Sequence, residues 1–314
     1  MKKFIYIFGV AVLGLMACNK PQDQNALDFN EIVFTMAPTT RATGVSEVTT
    51  ANLTQFNVIA STGTTSQTAA WTDGVFTGSQ GGNYTGGKYW PNESISYNFF
   101  ASNAAMTFAS SGATIAVADS NNDIVAEYLE GAAYKTSNAL SFDHILCQIG
   151  TVTMKAPAGY TVTDLKVSLQ PIYSGSYNVK QIAQATPEQK FAGWTRGSAS
   201  AAVYIVGNAQ AGVSVPANPQ SYTSGDNDLW LVPGQYQLTA TYTIAKGDWS
   251  NSYTKNATVT LLQGVNNNLG LPDTNGDGNN DDPNIPDPSD DVSDIIFTVT
   301  VTPWSDQDIP ANFN

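Results

Sequence analysis

Cys18 is the residue whose chemistry is clearest from its surroundings. It follows the residues Leu-Met-Ala, and an aliphatic residue, small residues and a cysteine form a lipobox, in which the thiol takes a diacylglycerol. Two lysines and the uncharged apolar stretch 4–17 precede it. At about 1.5 Å per residue this stretch reaches about 21 Å, short of the ~30 Å of a bilayer core. The pattern predicts a bacterial lipoprotein signal peptide over 1–17 and lipid attachment at Cys18.

A second group of residues near the C-terminus has the chemistry of a cation site. Hard Ca²⁺ takes six to eight oxygen ligands, and glycine allows the sharp turn that such loops need. Oxygen-bearing side chains alternate here with other residues: Asp273, Asn275, Asp277, Asn279 and Asp281. No helical pattern flanks them, which excludes an EF-hand. A Ca²⁺ loop and a solvated acidic linker extended by prolines both remain open, and no other cofactor is expected.

Catalytic chemistry has little support in this chain. His144 is the single histidine, and Cys147 lies three positions further along. On a strand these two side chains point to opposite faces, so a Cys–His dyad is not expected. The P-loop, the G-x-S-x-G elbow and the dinucleotide fingerprint are absent from the sequence. A paired-carboxylate glycoside hydrolase has no fixed spacing and stays open, but the prediction is that the chain is not an enzyme.

Six tryptophans raise the question of sugar binding, because flat aromatic rings stack on sugar faces. Trp90 and Trp230 lie in apolar strand contexts and are predicted to pack in a core. Trp194 and Trp249 lie beside glycines in turn-like surroundings and are the candidates for exposed, sugar-binding rings.

The formal net charge of −13 limits the partners of the chain. An acidic surface repels phosphates, so neither nucleic acid nor anionic lipid headgroups are expected as partners. If Cys18 is acylated, Cys147 is the one remaining cysteine and no intrachain disulfide can form. Stability must therefore come from packing.

The sequence predicts an all-β fold with two consecutive antiparallel sandwiches. Strand-like runs bounded by turn residues recur throughout, while 179–189 is the one stretch that could form a short helix. The predicted domains are 42–138 and 139–314, preceded by a leader over 18–41 and with an acidic insertion at 272–293. The predicted strands cover 31–36, 53–60, 71–77, 87–90, 95–101, 114–118, 123–129, 140–154, 161–169, 202–206, 228–245, 255–262, 267–271 and 294–301.

The last predicted strand, 294–301, has one wholly apolar face, formed by Ile295, Phe297, Val299 and Val301. An acidic, proline-rich loop precedes it, and the sequence ends thirteen residues later. This face must therefore be covered either deep inside its own sandwich or within another subunit.

Several short motifs in a fixed order carry a family resemblance. After the lipobox they are Thr40-Arg41-Ala42-Thr43, Phe56-Asn57-Val58, Tyr89-Trp90-Pro91, Tyr97-Asn98-Phe99-Phe100-Ala101, Leu140-Ser141-Phe142-Asp143-His144 and the segment Phe297-Thr298-Val299-Thr300-Val301-Thr302-Pro303-Trp304. From Met1 to Trp304 this order resembles the fimbrillin superfamily of Bacteroidales type V pili, the major fimbrial subunits. The resemblance implies two tandem transthyretin-like sandwiches. It also implies an outer-membrane lipoprotein precursor that is built into a fimbria and supports adhesion to a host or microbial surface.

The resemblance also implies how such a subunit assembles. An arginine-specific protease would cut between Arg41 and Ala42 and release 31–36 as the first strand. A strand from another copy, or from a related pilus subunit, would then fill the open groove. The insertion at 272–293 departs from the family pattern and leaves open which C-terminal stretch is donated. Two alternatives remain: Arg41 as a plain linker residue, and a monomeric, lipid-tethered module that binds glycans.

Overall fold

The computed structural model describes residues 31–36, 48–49, 51–118, 122–134, 136, 138–157, 159–184, 186–223, 229–270 and 302–303. A 3-10 helix covers Val179–Ala183 and a short α-helix, α1, covers Pro187–Phe191. The strands are β1 (Glu31–Met36), β2 (Gln55–Thr62), β3 (Thr68–Thr77), β4 (Tyr84–Tyr89), β5 (Tyr97–Ser102), β6 (Met106–Ala109), β7 (Gly112–Val117), β8 (Val125–Ala132), β9 (Asn138–Leu140), β10 (Asp143–His144), β11 (Gln148–Met154), β12 (Thr161–Leu169), β13 (Gly175–Asn178), β14 (Trp194–Arg196), β15 (Val203–Val206), β16 (Val213–Val215), β17 (Gln220–Thr223), β18 (Gly234–Lys246), β19 (Trp249–Leu261), β20 (Val265–Gly270) and β21 (Thr302–Pro303).

The first half of the chain is built on one large sheet with the strand order β10-β8-β5-β2-β3-β4-β1-β9. One face of this sheet carries the first core, to which strands from both ends contribute, including Phe34 of β1 and Val125 of β8. Its central strand β5 is buried at every position. Both faces of β5 must therefore be covered.

A smaller sheet with the order β14-β13-β7-β6 covers the second face of the large sheet. The core between them joins Phe100 and Ile115 from the first half to Tyr177 and Trp230 from the second. Strands from both sides of residue 138 thus share one sheet and one core. The domain boundary at 138 remains a prediction.

The second half forms a sandwich of the sheets β17-β11-β20-β21 and β15-β12-β18-β19. Strand β18 shows why: its buried and less buried residues alternate along thirteen positions, so one face enters the core and the other stays polar. Leu165, Val167, Leu238 and Ala240 fill the interior of this sandwich.

The predicted all-β, sandwich-type fold is confirmed. Strands β1 and β12 match the sequence prediction residue for residue. The single predicted helical stretch, 179–189, holds the 3-10 helix and the start of α1, where Thr186 and Gln189 form a capping box. None of the helices in the described ranges is long and apolar enough to cross a membrane.

Candidate functional site: the groove around the first strand

Strand β1 lies inside the large sheet, between β4 and β9. It runs antiparallel to β4, pairing Val33 with Thr85 and Phe34 with Tyr84. It runs parallel to β9, pairing Phe34 with Asn138 and Met36 with Leu140. A strand flanked on both sides supplies two rows of backbone hydrogen bonds, so its removal would leave two rows of unpaired groups.

The inward side chains of β1 are part of the first core. Ile32 and Phe34 are both fully buried. The ring of Phe34 packs edge-on against Phe76 and Phe99, with centroid distances of 4.8 and 5.0 Å, and Phe56 lies 6.1 Å away. Edge-to-face pairs at these distances contribute beyond the buried area alone. The slot behind β1 therefore fits an aromatic ring at the Phe34 position.

The two neighbours of β1 depend on it to different degrees. Strand β9 is the last strand of the sheet and reaches it through β1. Its Asn138 is buried and donates from Nδ2 to the carbonyl oxygen of Val33 at 3.2 Å. Strand β4 pairs with β3 where Thr85 meets Thr77. An occupant in the β1 position therefore organises β4 and β9 as well as covering the core.

The body of the protein holds the chain again at Val48, seven residues after the end of the predicted leader. The backbone N–H of Val48 donates to Oδ2 of Asp123 at 2.8 Å, and Nδ1 of His144 lies 2.7 Å from the same oxygen. The Asp123 carboxylate is fully buried. Residues on both sides of the predicted cleavage point, in β1 and at Val48, are thus held by the body of the protein.

The sequence-predicted site residues lie outside the described residues. These are the lipidation site Cys18, the processing pair Arg41 and Ala42, the donor candidates Ile295, Phe297, Val299 and Val301, and the oxygen-rich residues Asp273, Asn275, Asp277, Asn279 and Asp281. The apolar residues of 31–36 predict β1 correctly. Sequence analysis missed β9, because a three-residue strand has no periodicity to detect, and the parallel pairing with β1 joins residues about a hundred positions apart.

The side chains of Cys147, Asp143 and His144, which carry groups able to act in catalysis, are held by structural contacts. The buried Cys147 thiol donates to the carbonyl oxygen of Leu231 at 3.3 Å, and burial raises its pKa. A thiol held in its neutral form is a poor nucleophile. Asp143 accepts a hydrogen bond from Lys190, while His144 faces Asp123. In the described ranges, no three His, Cys, Asp or Glu residues cluster as metal ligands.

The tryptophans divide largely as the sequence predicts. Trp90, stacked on Tyr97 at 5.1 Å, and Trp230 are buried in cores, which confirms that prediction. Trp249 is 41% exposed. The exposed position predicted for Trp194 is wrong: its ring is half-buried against the core, and its Nε1 donates to Gln263 at 3.2 Å. A partner 69 residues away fixes this ring, which the local glycines could not reveal.

No protein-family model and no curated protein matches the chain. Three solved structures of candidate cell adhesion proteins are similar to it. The protein from Bacteroides eggerthii is 14% identical, over 92% of this chain and 98% of that chain, with a TM-score of 0.36. The protein from Bacteroides ovatus is 14% identical, over 77% of this chain and 90% of that chain, with a TM-score of 0.34. The protein from Bacteroides thetaiotaomicron is 13% identical, over 74% of this chain and 88% of that chain, with a TM-score of 0.30.

Proposed function

We propose that this chain is a structural subunit of a surface fimbria and assembles by strand exchange at the β1 position. Cleavage after Arg41 would separate the leader, with its lipid at Cys18, from the body that begins at Ala42. From then on, β1 would be held in the sheet by non-covalent interactions alone. The C-terminal strand 294–299 of another subunit would displace it and take its place.

A likeness between two segments of the chain carries this proposal. Strand β1 reads Glu-Ile-Val-Phe-Thr-Met, and 294–299 reads Asp-Ile-Ile-Phe-Thr-Val. All six positions are identical or chemically similar, and Phe297 falls where β1 has Phe34. Because side chains alternate along a strand, the two segments present the same apolar face. The C-terminal segment is thus similar in sequence to the strand that occupies the groove, with three of six residues identical.

The energetics favour a stable replacement. Three inward apolar side chains, Ile295, Phe297 and Val299, would enter the slots of Ile32, Phe34 and Met36. At roughly 1.5–3 kcal/mol for each buried side chain, the gross contribution is about 5–9 kcal/mol. Backbone pairing with β4 and β9 adds to it, as in other cases of strand addition. The C-terminal segment of a second subunit would therefore supply the same apolar contacts and backbone pairing as β1. Unlike the cleaved β1, it would remain covalently linked to its own subunit and so join two units of the fibre.

The first test is the N-terminal sequence of the protein sheared from intact cells. We expect it to start at Ala42, because assembly requires the bond after Arg41 to be broken. The matched control is the Arg41→Ala variant, which should remain at the membrane as an uncut lipoprotein. A wild-type surface protein that still begins at acylated Cys18 would overturn the proposal and leave a permanently tethered protein.

A further inference from the structure

A cleft in the second sandwich has no part in strand exchange and carries an independent inference. It has a volume of about 390 Å³ and lies over β12 and β18. Its polar lining consists of Ser168, Gln170, Gln235, Gln237 and Thr239. None of the described residues that line it is charged, although the chain as a whole has a net charge of −13.

One wall of the cleft is a loop held firmly in place. The loop joins β14 to β15 and contributes Ala199 and Ala202. Its Gly197 N–H donates to the carbonyl oxygen of Ser174 and its Ser200 N–H to that of Pro171, each at 2.8 Å. A side chain at Gly197 would come within 2.3 Å of the Ser174 hydroxyl, so this close approach requires glycine. The cleft is therefore a fixed feature.

The strand below the cleft is held from its inner side. Tyr236 alternates with Gln235 and Gln237 along β18, so its buried ring points into the core. Its hydroxyl donates to the carbonyl oxygen of Val232 at 2.6 Å, and the guanidinium of Arg196 lies 4.6 Å from the ring centroid. The backbone that carries Gln235 and Gln237 is thus held in place before a ligand binds, which lowers the entropy cost of binding.

The polar groups of the cleft are available to a ligand. The side chains of Ser168, Gln170, Gln235 and Gln237 make no hydrogen bond to any other described residue. Amide and hydroxyl side chains each offer donors as well as acceptors. Sugar hydroxyl groups have the same dual character, whereas phosphate, sulfate or carboxylate ligands need cationic partners, which are absent from the described lining of the cleft.

The cleft continues into a long polar track on the same face. Five of the cross-strand pairs between β18 and β19 form this track, and all five are uncharged and polar: Gln235–Thr260, Gln237–Thr258, Thr239–Asn256, Thr241–Thr254 and Thr243–Ser252. The eight steps from residue 235 to residue 243 span about 27 Å of extended strand. A track of this length suits a chain of several sugar units. It lacks the apolar, aromatic centre that protein interfaces use.

An exposed aromatic ring stands beside the cleft. Tyr204 of β15 is 39% exposed and pairs directly across from Ser168. Since cross-strand partners point to the same face, the ring borders the polar lining. The C–H face of a sugar ring packs on such a surface, while the phenol hydroxyl remains free for hydrogen bonding.

We infer that this cleft and track bind a neutral oligosaccharide, with Gln235 and Gln237 hydrogen-bonding sugar hydroxyls and Tyr204 stacking on a ring. This activity does not depend on strand exchange, since all of its residues lie in the second sandwich. It would give the assembled subunit its own means of adhesion.

The test is a glycan microarray that carries neutral, sialylated and sulfated oligosaccharides, followed by calorimetric titration with the strongest neutral ligand. We expect binding to neutral glycans, and a loss of about tenfold in affinity for Gln237→Ala and for Gln235→Ala, the effect of one or two hydrogen bonds. Tyr204→Ala should weaken binding to a similar degree. Sialylated and sulfated glycans should bind no better than their neutral backbones.

Two control variants separate the cleft from the rest of the surface. Gln55→Ala removes an exposed amide from β2, and Tyr89→Ala removes a 51% exposed ring from β4; both should leave the affinity unchanged. All variants should unfold at the temperature of the wild type. The inference is overturned if the array shows no neutral ligand, if only acidic glycans bind, or if the cleft variants bind like the controls.

Discussion

Buried Phe34 and partly buried Glu127, both in the first half of the chain, show opposite relations to their surroundings. Phe34 fits a slot lined by aromatic rings, so its burial stabilises the fold. Glu127 on β8 is a carboxyl group in an unfavourable place. Burial, assisted by the charge of Asp143, raises its pKa from 4.5 to about 7, against the opposing effect of Lys190. The folded protein therefore holds a proton at Glu127 that the unfolded chain releases.

This shift predicts a stability that falls as pH rises. Between about pH 4.5 and 7 the folded state binds more protons than the unfolded state, so the free energy of unfolding decreases with pH. The loss at Glu127 is up to about 3 kcal/mol. We expect Glu127→Gln to match the wild type near pH 5 and to be more stable near pH 8, as measured by urea unfolding. Parallel pH curves for the two proteins would contradict the raised pKa.

At the scale of elements, the sequence predicts strands that have their own pattern and misses those that a partner defines. Strand β1 is rich in apolar residues, β12 largely alternates apolar and polar residues, and both are predicted with correct ends. The short strands β9 and β16 hold their conformation through pairing with β1 and β12. No local periodicity distinguishes them from loops. The apolar face of β1 was therefore predictable, but its position between β4 and β9 was not.

The groove predicts a specific peptide partner. A protein that starts at Ala42 lacks β1, and we expect it to unfold at a lower temperature and to bind the dye ANS through its open core. A synthetic peptide of residues 294–301 should restore the melting temperature and displace the dye. A peptide of residues 31–36 should act in the same way, because it has the same apolar face.

The matched control is the 294–301 peptide with Phe297→Asp, which would place a carboxylate among Phe56, Phe76 and Phe99. It should not restore the melting temperature. If both peptides raised the melting temperature equally, the peptide would not bind with Phe297 in the Phe34 slot. That result would contradict the proposed register.

At the scale of the whole molecule, the two halves are less separate than the sequence indicates. Strands β7 and β13 pair side by side, and the core around Ile115 and Tyr177 takes residues from both halves. Pairings between residues so far apart in sequence leave no signal in either segment alone. The body thus has one core that joins both halves, a groove at β1, and further along the chain a segment similar in sequence to β1. Under the proposed function, such a chain would act as donor and acceptor at once.

Donor and acceptor functions can be separated by two variants. Arg41→Ala keeps β1 covalently attached, so it can donate 294–301 but cannot accept a strand. Phe297→Asp is cleaved normally, so it can accept a strand but cannot donate one. After treatment with an arginine-specific protease, we expect the wild type to form a ladder of polymers on size-exclusion chromatography. Each variant alone should stay monomeric, because each lacks one half of the joint.

The mixture of the two variants gives the decisive result. The C-terminal segment of one Arg41→Ala chain can fill the groove of one Phe297→Asp chain. The resulting dimer has no free groove, and its remaining C-terminal segment carries the Phe297→Asp change and cannot be donated. An equimolar mixture should therefore stop at the dimer. Polymers of Phe297→Asp alone would mean that a strand other than 294–301 fills the groove, and polymers of Arg41→Ala alone would show that assembly does not use the groove at β1. Monomers in the mixture, beside polymers of the wild type, would contradict the expectation that donor and acceptor functions are carried by 294–301 of one chain and the β1 groove of the other.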